Sequence, residues 1–135
     1  MQNENANATP PTILLAEDNK FLRRAAESTL RRHGFTVLTA TDGEEALKLA
    51  RSNPPDLLLL DVIMPKMNGF DVLRALKGDP ATSLIPVIVL SNLGDQNDVV
   101  TARELGAVGY WVKASVGLEE LVERIQSLLA ENAKP

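Results

Sequence analysis

Four consecutive leucines, Leu57 to Leu60, end abruptly in Asp61, and no other stretch of the chain restricts its fold as strongly. An unbroken apolar run of this length is the pattern of a strand covered on both faces, as in a parallel sheet held between two layers of helices. Open sheets of that kind hold their ligands beyond the carboxyl ends of the strands, where Asp61 would stand. The earlier run Ile13-Leu14-Leu15-Ala16 closes in the same way with Glu17 and Asp18. If the two strands are neighbours, three acids meet at one point. Like charges so close disfavour joint ionisation unless something positive offsets them, and hard oxygen ligands suit Mg²⁺ or Mn²⁺.

The remaining periodicity agrees with such a sheet. Residues 1–11 are polar, rich in asparagine and closed by Pro10-Pro11, the composition of a disordered leader. Phe21, Leu22, Ala25, Ala26, Thr29 and Leu30 then recur at helical spacing, with Gly34 as the stop. Thr36 to Ala40 is β-prone, and Asp42 offers an N-cap to a helix carrying Ala46, Leu47 and Ala50, ended by Pro54-Pro55. A third strand covers about Asp56 to Asp61. The loop Met64-Pro65-Lys66-Met67-Asn68-Gly69 leads to a helix with Phe70, Leu73 and Leu76, closed around Gly78. Ile85 to Leu90 reads as the fourth strand, and Val99, Val100, Ala102 and Leu105 mark a helix that Gly106 terminates. Gly109 to Lys113 is the last strand, followed by an amphipathic helix through Leu118, Leu121, Val122, Ile125, Leu128 and Leu129. Five strands alternating with five helices imply right-handed crossovers and a doubly wound α/β domain over residues 12–130, with a polar tail at 131–135.

Composition removes several classes of function. A chain of 135 residues with 44% hydrophobic residues makes one domain with a genuine core and leaves no room for a second. Its formal net charge of -4, with basic residues scattered, argues against direct nucleic-acid binding. Cysteine is absent, which excludes disulfides, thiolate metal sites and cysteine nucleophiles. No apolar stretch approaches a bilayer span and no signal peptide opens the chain, so a cytoplasmic protein without membrane contact is expected.

Polar groups recur at the strand ends: Glu17 and Asp18 after the first, Asp61 after the third, Ser91 after the fourth and Lys113 in the fifth. Each alone has an ordinary explanation. Asp18 beside Asn19 could cap the first helix, and Lys113 could be a solvated edge lysine. Tyr110 and Trp111 could be core aromatics, which is the preferred reading of Trp111, and His33 fits a partner for the dipole at a helix C-terminus. Together the groups are chemically coherent. Carboxylates hold a cation, one of them can act as nucleophile, and an ammonium with a hydroxyl can stabilise phosphoryl oxygens.

Glu17-Asp18, the stretch Asp61-Val62-Ile63-Met64-Pro65-Lys66-Met67-Asn68-Gly69, Ser91 and Lys113 resemble, in order and spacing, the receiver domain of two-component response regulators. The likeness runs from Thr12 to Ala130. It implies a flavodoxin-like five-stranded parallel sheet of order 2-1-3-4-5. It also implies that Asp61 is the phosphoacceptor, charged by a histidine kinase or a histidine phosphotransfer protein. Mg²⁺, with Mn²⁺ as a substitute, would be bound by Asp18, Asp61 and the backbone carbonyl of Ile63, with Glu17 acting through a metal-bound water. Lys113 would pair with phosphoryl oxygen and Ser91 would hydrogen-bond it. Tyr110 would turn inward as Ser91 moves, switching a surface made by the fourth helix, fifth strand and fifth helix, through which a downstream protein is read. Such a protein is a monomer or a phosphorylation-dependent homodimer. It is a signalling protein that promotes its own phosphorylation and dephosphorylation, not an enzyme acting on other substrates.

Some positions depart from that pattern. Ala114 follows Lys113 where the family has a cis proline, and a cis bond before a non-proline residue costs roughly 2.5–4 kcal/mol, so a trans bond and a rearranged loop are expected. Asn92 is bulkier than the usual small residue there. Leu93 and Ile63, both apolar, are expected to shield the acyl phosphate and slow its hydrolysis. Nothing after the last helix resembles an effector, which leaves a single-domain regulator or a fragment of a longer one. An aspartate-nucleophile phosphohydrolase is disfavoured because Ile63 stands where its second aspartate is needed, and a flavin or nucleotide binder because no glycine-rich loop follows the first strand. The standing alternative is a receiver-like protein-binding module that is not phosphorylated.

Overall fold

The computed structural model describes residues 9–91, 96–113 and 117–132. In chain order its elements are β1 (Thr12–Ala16), α1 (Lys20–Arg32), β2 (Thr36–Ala40), α2 (Gly43–Ser52), β3 (Leu57–Asp61), α3 (Gly69–Lys77), β4 (Val87–Ser91), α4 (Gln96–Glu104), β5 (Gly109–Val112) and α5 (Leu118–Asn132). The strands pair in parallel in the order β2-β1-β3-β4-β5, the doubly wound arrangement that the alternation and the resemblance implied. Asn92, Leu93 and Ala114 lie outside the described residues, as do residues 1–8 of the leader and 133–135 of the tail.

Strand periodicity divides the core into two layers. Leu14, Ala16, Leu58, Leu60, Val87 and Val89 face α2, α3 and α4, while Ile13, Leu15, Leu57, Leu59, Ile88 and Leu90 face α1 and α5. All four leucines of β3 have no exposed surface, as a central strand with helices on both sides requires. Burying each stabilises the fold by about 1.5–3 kcal/mol relative to leaving it in water.

Helix boundaries follow from side-chain caps. Asn19, Asp42 and Asn68 accept hydrogen bonds from the backbone N–H groups of Leu22, Glu45 and Asp71, at 3.0, 2.8 and 3.0 Å. Gly34 stops α1 at a φ of 92°, a conformation that glycine adopts without strain.

Several expected details shift. Lys113 stands one residue past β5 rather than inside it. The fourth strand begins at Val87, not Ile85, because Pro86 has no N–H to give the sheet, although its carbonyl accepts from Leu58 N–H at 3.0 Å. Phe21, counted with the apolar face of α1, is 82% exposed, and Ala25 also faces solvent; only Ala26, Thr29 and Leu30 of that helix are buried. Phe21 and Ala25 lie roughly 100–140° around the helix from Ala26, on the flank that faces solvent, while Leu22, half-buried in the same first turn, lines a cavity with Leu15 of β1.

Candidate functional site

Strand register assembles the site before any side chain is considered. Ala16 is level with Leu60, so Glu17 follows at the level of Asp61; Asp61 is level with Leu90, and Ser91 with Val112. Lys113 therefore stands two residues further along than Asp61 and on the same side of the sheet. Its Nζ bridges the two acids, 2.6 Å from Glu17 Oε1 and 2.9 Å from Asp61 Oδ2. The remaining oxygens are oriented by backbone: Asn19 N–H donates to Glu17 Oε2 at 3.1 Å, and Ile63 N–H to Asp61 Oδ1 at 3.2 Å.

Asp18 differs from its neighbours. One carboxylate oxygen from each of Glu17, Asp18 and Asp61 lies within 4.8 Å of the others, yet only Asp18 is exposed. Its carboxylate takes no hydrogen bond or ion pair from the described residues, and the cap of α1 is Asn19 instead. The capping explanation of Asp18 is thereby removed. A free carboxylate beside two anchored ones is a donor set for a hard divalent cation, since all ligands are oxygen and one is unencumbered.

The electrostatics agree. Burial drives the Glu17 carboxyl above its usual range, opposed by the Lys113 hydrogen bond and reinforced by the neighbouring charge of Asp61. For Lys113, burial works toward a lower value, but its hydrogen bonds to Glu17 and Asp61 outweigh it and the ammonium is held above its ordinary range. The two shifts share one cluster: Glu17 and Asp61 crowd a single buried ammonium, which raises Lys113, while burial, with Asp61 beside it, raises Glu17. A cavity of about 200 Å³ behind the pair, with walls including Leu15, Leu22, Leu90, Trp111 and Leu121, keeps their surroundings apolar.

The loop that carries Asp61 toward α3 is packed against backbone on two sides. A Cβ at Gly69 would meet the Asp61 carbonyl oxygen at 2.3 Å, and one at Gly43 would meet the Met67 carbonyl oxygen at 1.8 Å. Neither position can hold a side chain without moving that loop. Within it, Lys66 adopts a φ of 68° and reaches Asp42 at 3.7 Å.

Ser91 and Tyr110 sit differently from the acids. Ser91 is buried at the end of β4 and shares the side of Val87 and Val89, while Tyr110, level with Val89, is partly buried against the layer under α2, α3 and α4. Trp111 points the opposite way into the α1 and α5 layer, 5% exposed, with the Arg124 guanidinium 5.1 Å from its ring centroid. It is a core aromatic, as expected. His33 closes α1, and its ring Nε2 also lies 2.9 Å from Glu119 Oε1 on α5.

Sequence reasoning missed Arg23. Its Nη1 donates to the backbone carbonyls of Glu17 at 3.0 Å and Asp18 at 3.2 Å. One cation among the five of α1 does not stand out in the sequence, and the only signal is its place in the first turn beside the acidic loop.

A doubly wound sheet with an acid trio and a lysine gathered at its carboxyl edge defines the class of flavodoxin-like α/β domains built around a switch-point site. The model of the response regulator receiver domain matches residues 13–126, and the chain belongs to that family. It is 43% identical over 123 residues to a probable transcriptional regulator, ycf27, of Cyanophora paradoxa, covering 91% of this chain and 50% of the relative. It is 42% identical over 119 residues to the transcriptional regulatory protein AfsQ1 of Streptomyces coelicolor, covering 88% and 51%. The chain thus spans about half the length of these curated relatives. Among solved structures, a putative response regulator from Chloroflexus aurantiacus superposes with a TM-score of 0.83 at 33% identity, over 90% of this chain and 98% of that one. A receiver domain is a signalling module, and no described helix is long and apolar enough to cross a membrane.

Proposed function

We propose that this chain takes a phosphoryl group onto Asp61 from a histidine kinase or a histidine phosphotransfer protein, in a reaction that depends on Mg²⁺. One observation carries the reading: a lysine bridging two buried carboxylates at 2.6 and 2.9 Å, with a third, unencumbered carboxylate within 4.8 Å. An oxygen of Asp61 bonds to phosphorus as the phosphorus–nitrogen bond of the donor phosphohistidine breaks, its electron pair returning to the imidazole. Asp18, Asp61 and the Ile63 carbonyl would hold the cation, with Glu17 supporting it from the buried side. A divalent ion there supplies charge neutralisation for the transferring phosphoryl group. The protein's own part is positioning. Lys113 and Ile63 N–H fix the Asp61 carboxylate so that the nucleophile meets phosphorus without reorganisation.

Ser91 and Tyr110 share one side of the sheet, which supports a readout in which Ser91 is drawn to the phosphoryl group and Tyr110 follows. The surface of α4, β5 and α5 then shifts between two states and is read by a downstream protein. Residues 12–130 form this unit, acting in the cytoplasm without contacting nucleic acid itself.

The test is intact mass after treatment with acetyl phosphate. The parent gains one phosphoryl group with Mg²⁺ and none with the metal chelated, and Asp61→Asn gains none under either condition. A parent unchanged with Mg²⁺ would favour the binding module that keeps the fold and has no phosphoacceptor role.

A further inference from the structure

Asp18 poses a problem of placement. It is the one acid of the trio whose carboxylate takes no hydrogen bond or ion pair from a described residue, so its backbone is what orients it. The backbone is held by Arg23. Its Nη1 reaches both the Glu17 and Asp18 carbonyls, at 3.0 and 3.2 Å, while its own N–H makes the first helical bond to Asn19 O at 2.9 Å. Arg23 is thus tied to three successive residues of the β1–α1 turn, and it is half-buried where the neighbouring Arg24 is exposed.

We infer that Arg23 is a positioning residue for the divalent-cation site, acting through the backbone of Glu17 and Asp18. The inference rests on the reading of the acid trio as that site. The effect is one of orientation. A guanidinium nitrogen shared by two successive carbonyls fixes the two peptide planes that flank the Asp18 Cα, and with them the direction in which the Asp18 side chain leaves the backbone. That orientation outweighs the repulsion between the guanidinium charge and a divalent cation, which by itself opposes binding. Groups that orient metal ligands from behind typically change metal affinity by 10–100-fold when removed. A contact made through the backbone belongs at the lower end of that range.

The experiment measures Mn²⁺ binding directly, by electron paramagnetic resonance of the free ion, with urea unfolding in parallel. Arg23→Met keeps the aliphatic stem and loses both bonds. It is expected to weaken Mn²⁺ binding about tenfold while unfolding cooperatively within the range of ordinary surface variants. Arg23→Lys keeps a donor on a shorter, more mobile stem without the planar fork that fixes both carbonyls, and its affinity falls between the two. On an Asp18→Asn background, Arg23→Met adds little further loss, because the ligand it orients is gone. The inference is overturned if Arg23→Met binds Mn²⁺ within twofold of the parent, or if its loss is undiminished on the Asp18→Asn background. A parent that binds no divalent cation overturns the site assignment together with the inference. A parent that binds, with an unaffected Arg23→Met, overturns the inference alone.

Discussion

Replacing Lys113 with methionine isolates what holds the acid trio together. The change leaves the Glu17 and Asp61 side chains, 1% and 7% exposed, facing one another without the ammonium that bonds them at 2.6 and 2.9 Å. Removing one partner of a buried ion pair costs about 3–5 kcal/mol, because the surviving charge stays in a poor solvent. Two carboxylates depend on this one lysine, which argues for the upper part of the range. The N–H bonds from Asn19 and Ile63 persist and pull the other way. The expected cost is about 4 kcal/mol at about pH 8. Glu17 sets the pH dependence. Its folded carboxyl already titrates above the ordinary value of 4.5, chiefly through burial, and losing Lys113 removes the strongest influence that lowers it. A raised folded value means that the native state binds the proton more tightly than the unfolded chain. The stability this confers is full below the unfolded value and is lost as pH rises through the folded one. The variant should therefore approach the parent at about pH 5 and fall away toward about pH 8. Urea unfolding followed by Trp111 fluorescence and far-ultraviolet circular dichroism reads both. A loss under about 1 kcal/mol at the higher pH, or an equal loss at both, would refute the reasoning.

Asp18→Asn removes an exposed negative charge that has no partner, so the metal-free protein should gain a few tenths of a kcal/mol while losing its response to Mg²⁺. In the parent, Mg²⁺ at tenfold excess over Kd should add about 1.4 kcal/mol in thermal or urea unfolding. Gly69→Ala places a methyl group 2.3 Å from the Asp61 carbonyl oxygen. Relief requires the loop to move, at about 3 kcal/mol by urea unfolding and with slower phosphoryl uptake by mass. Asn19→Ala loses the cap on Leu22 N–H, about 1 kcal/mol. The Asn19 N–H still orients Glu17, so its Mn²⁺ affinity should fall less than that of Arg23→Met.

What could be read from the sequence divides along physical lines. Leu57 to Leu60 announced a central strand because burial on both faces leaves no room for a polar residue, and a parallel strand of that kind fixes where the ligand edge lies. Glu17, Asp61 and Lys113 were legible for the same reason: charged groups that interrupt apolar strands at their ends have only the rim to occupy. Phe21 does not belong to the buried stripe, since apolar residues in adjacent pairs, 21/22 and 25/26, cover more than one face and the spacing alone does not say which member of each pair turns to the sheet.

The division of labour between Asp18 and Asn19 lay beyond the sequence, because either side chain can cap a helix and only the backbone direction at the turn decides. Arg23 was hidden more completely. Its partners are carbonyl oxygens, which every residue has, so no pairing of residue types marks the contact. The same reasoning separates the chemistry from its readout. Asp61 and Lys113 stand at levels that face the α1 and α5 layer, whereas Ser91 and Tyr110 stand at levels that face the opposite one. In the proposed readout a change at Asp61 reaches Tyr110 across the end of β4, where Ser91 is placed. Ser91→Ala should therefore leave Mn²⁺ binding intact while uncoupling Tyr110 from phosphorylation, a separation visible as unchanged metal affinity with a silenced tyrosine ring signal by nuclear magnetic resonance.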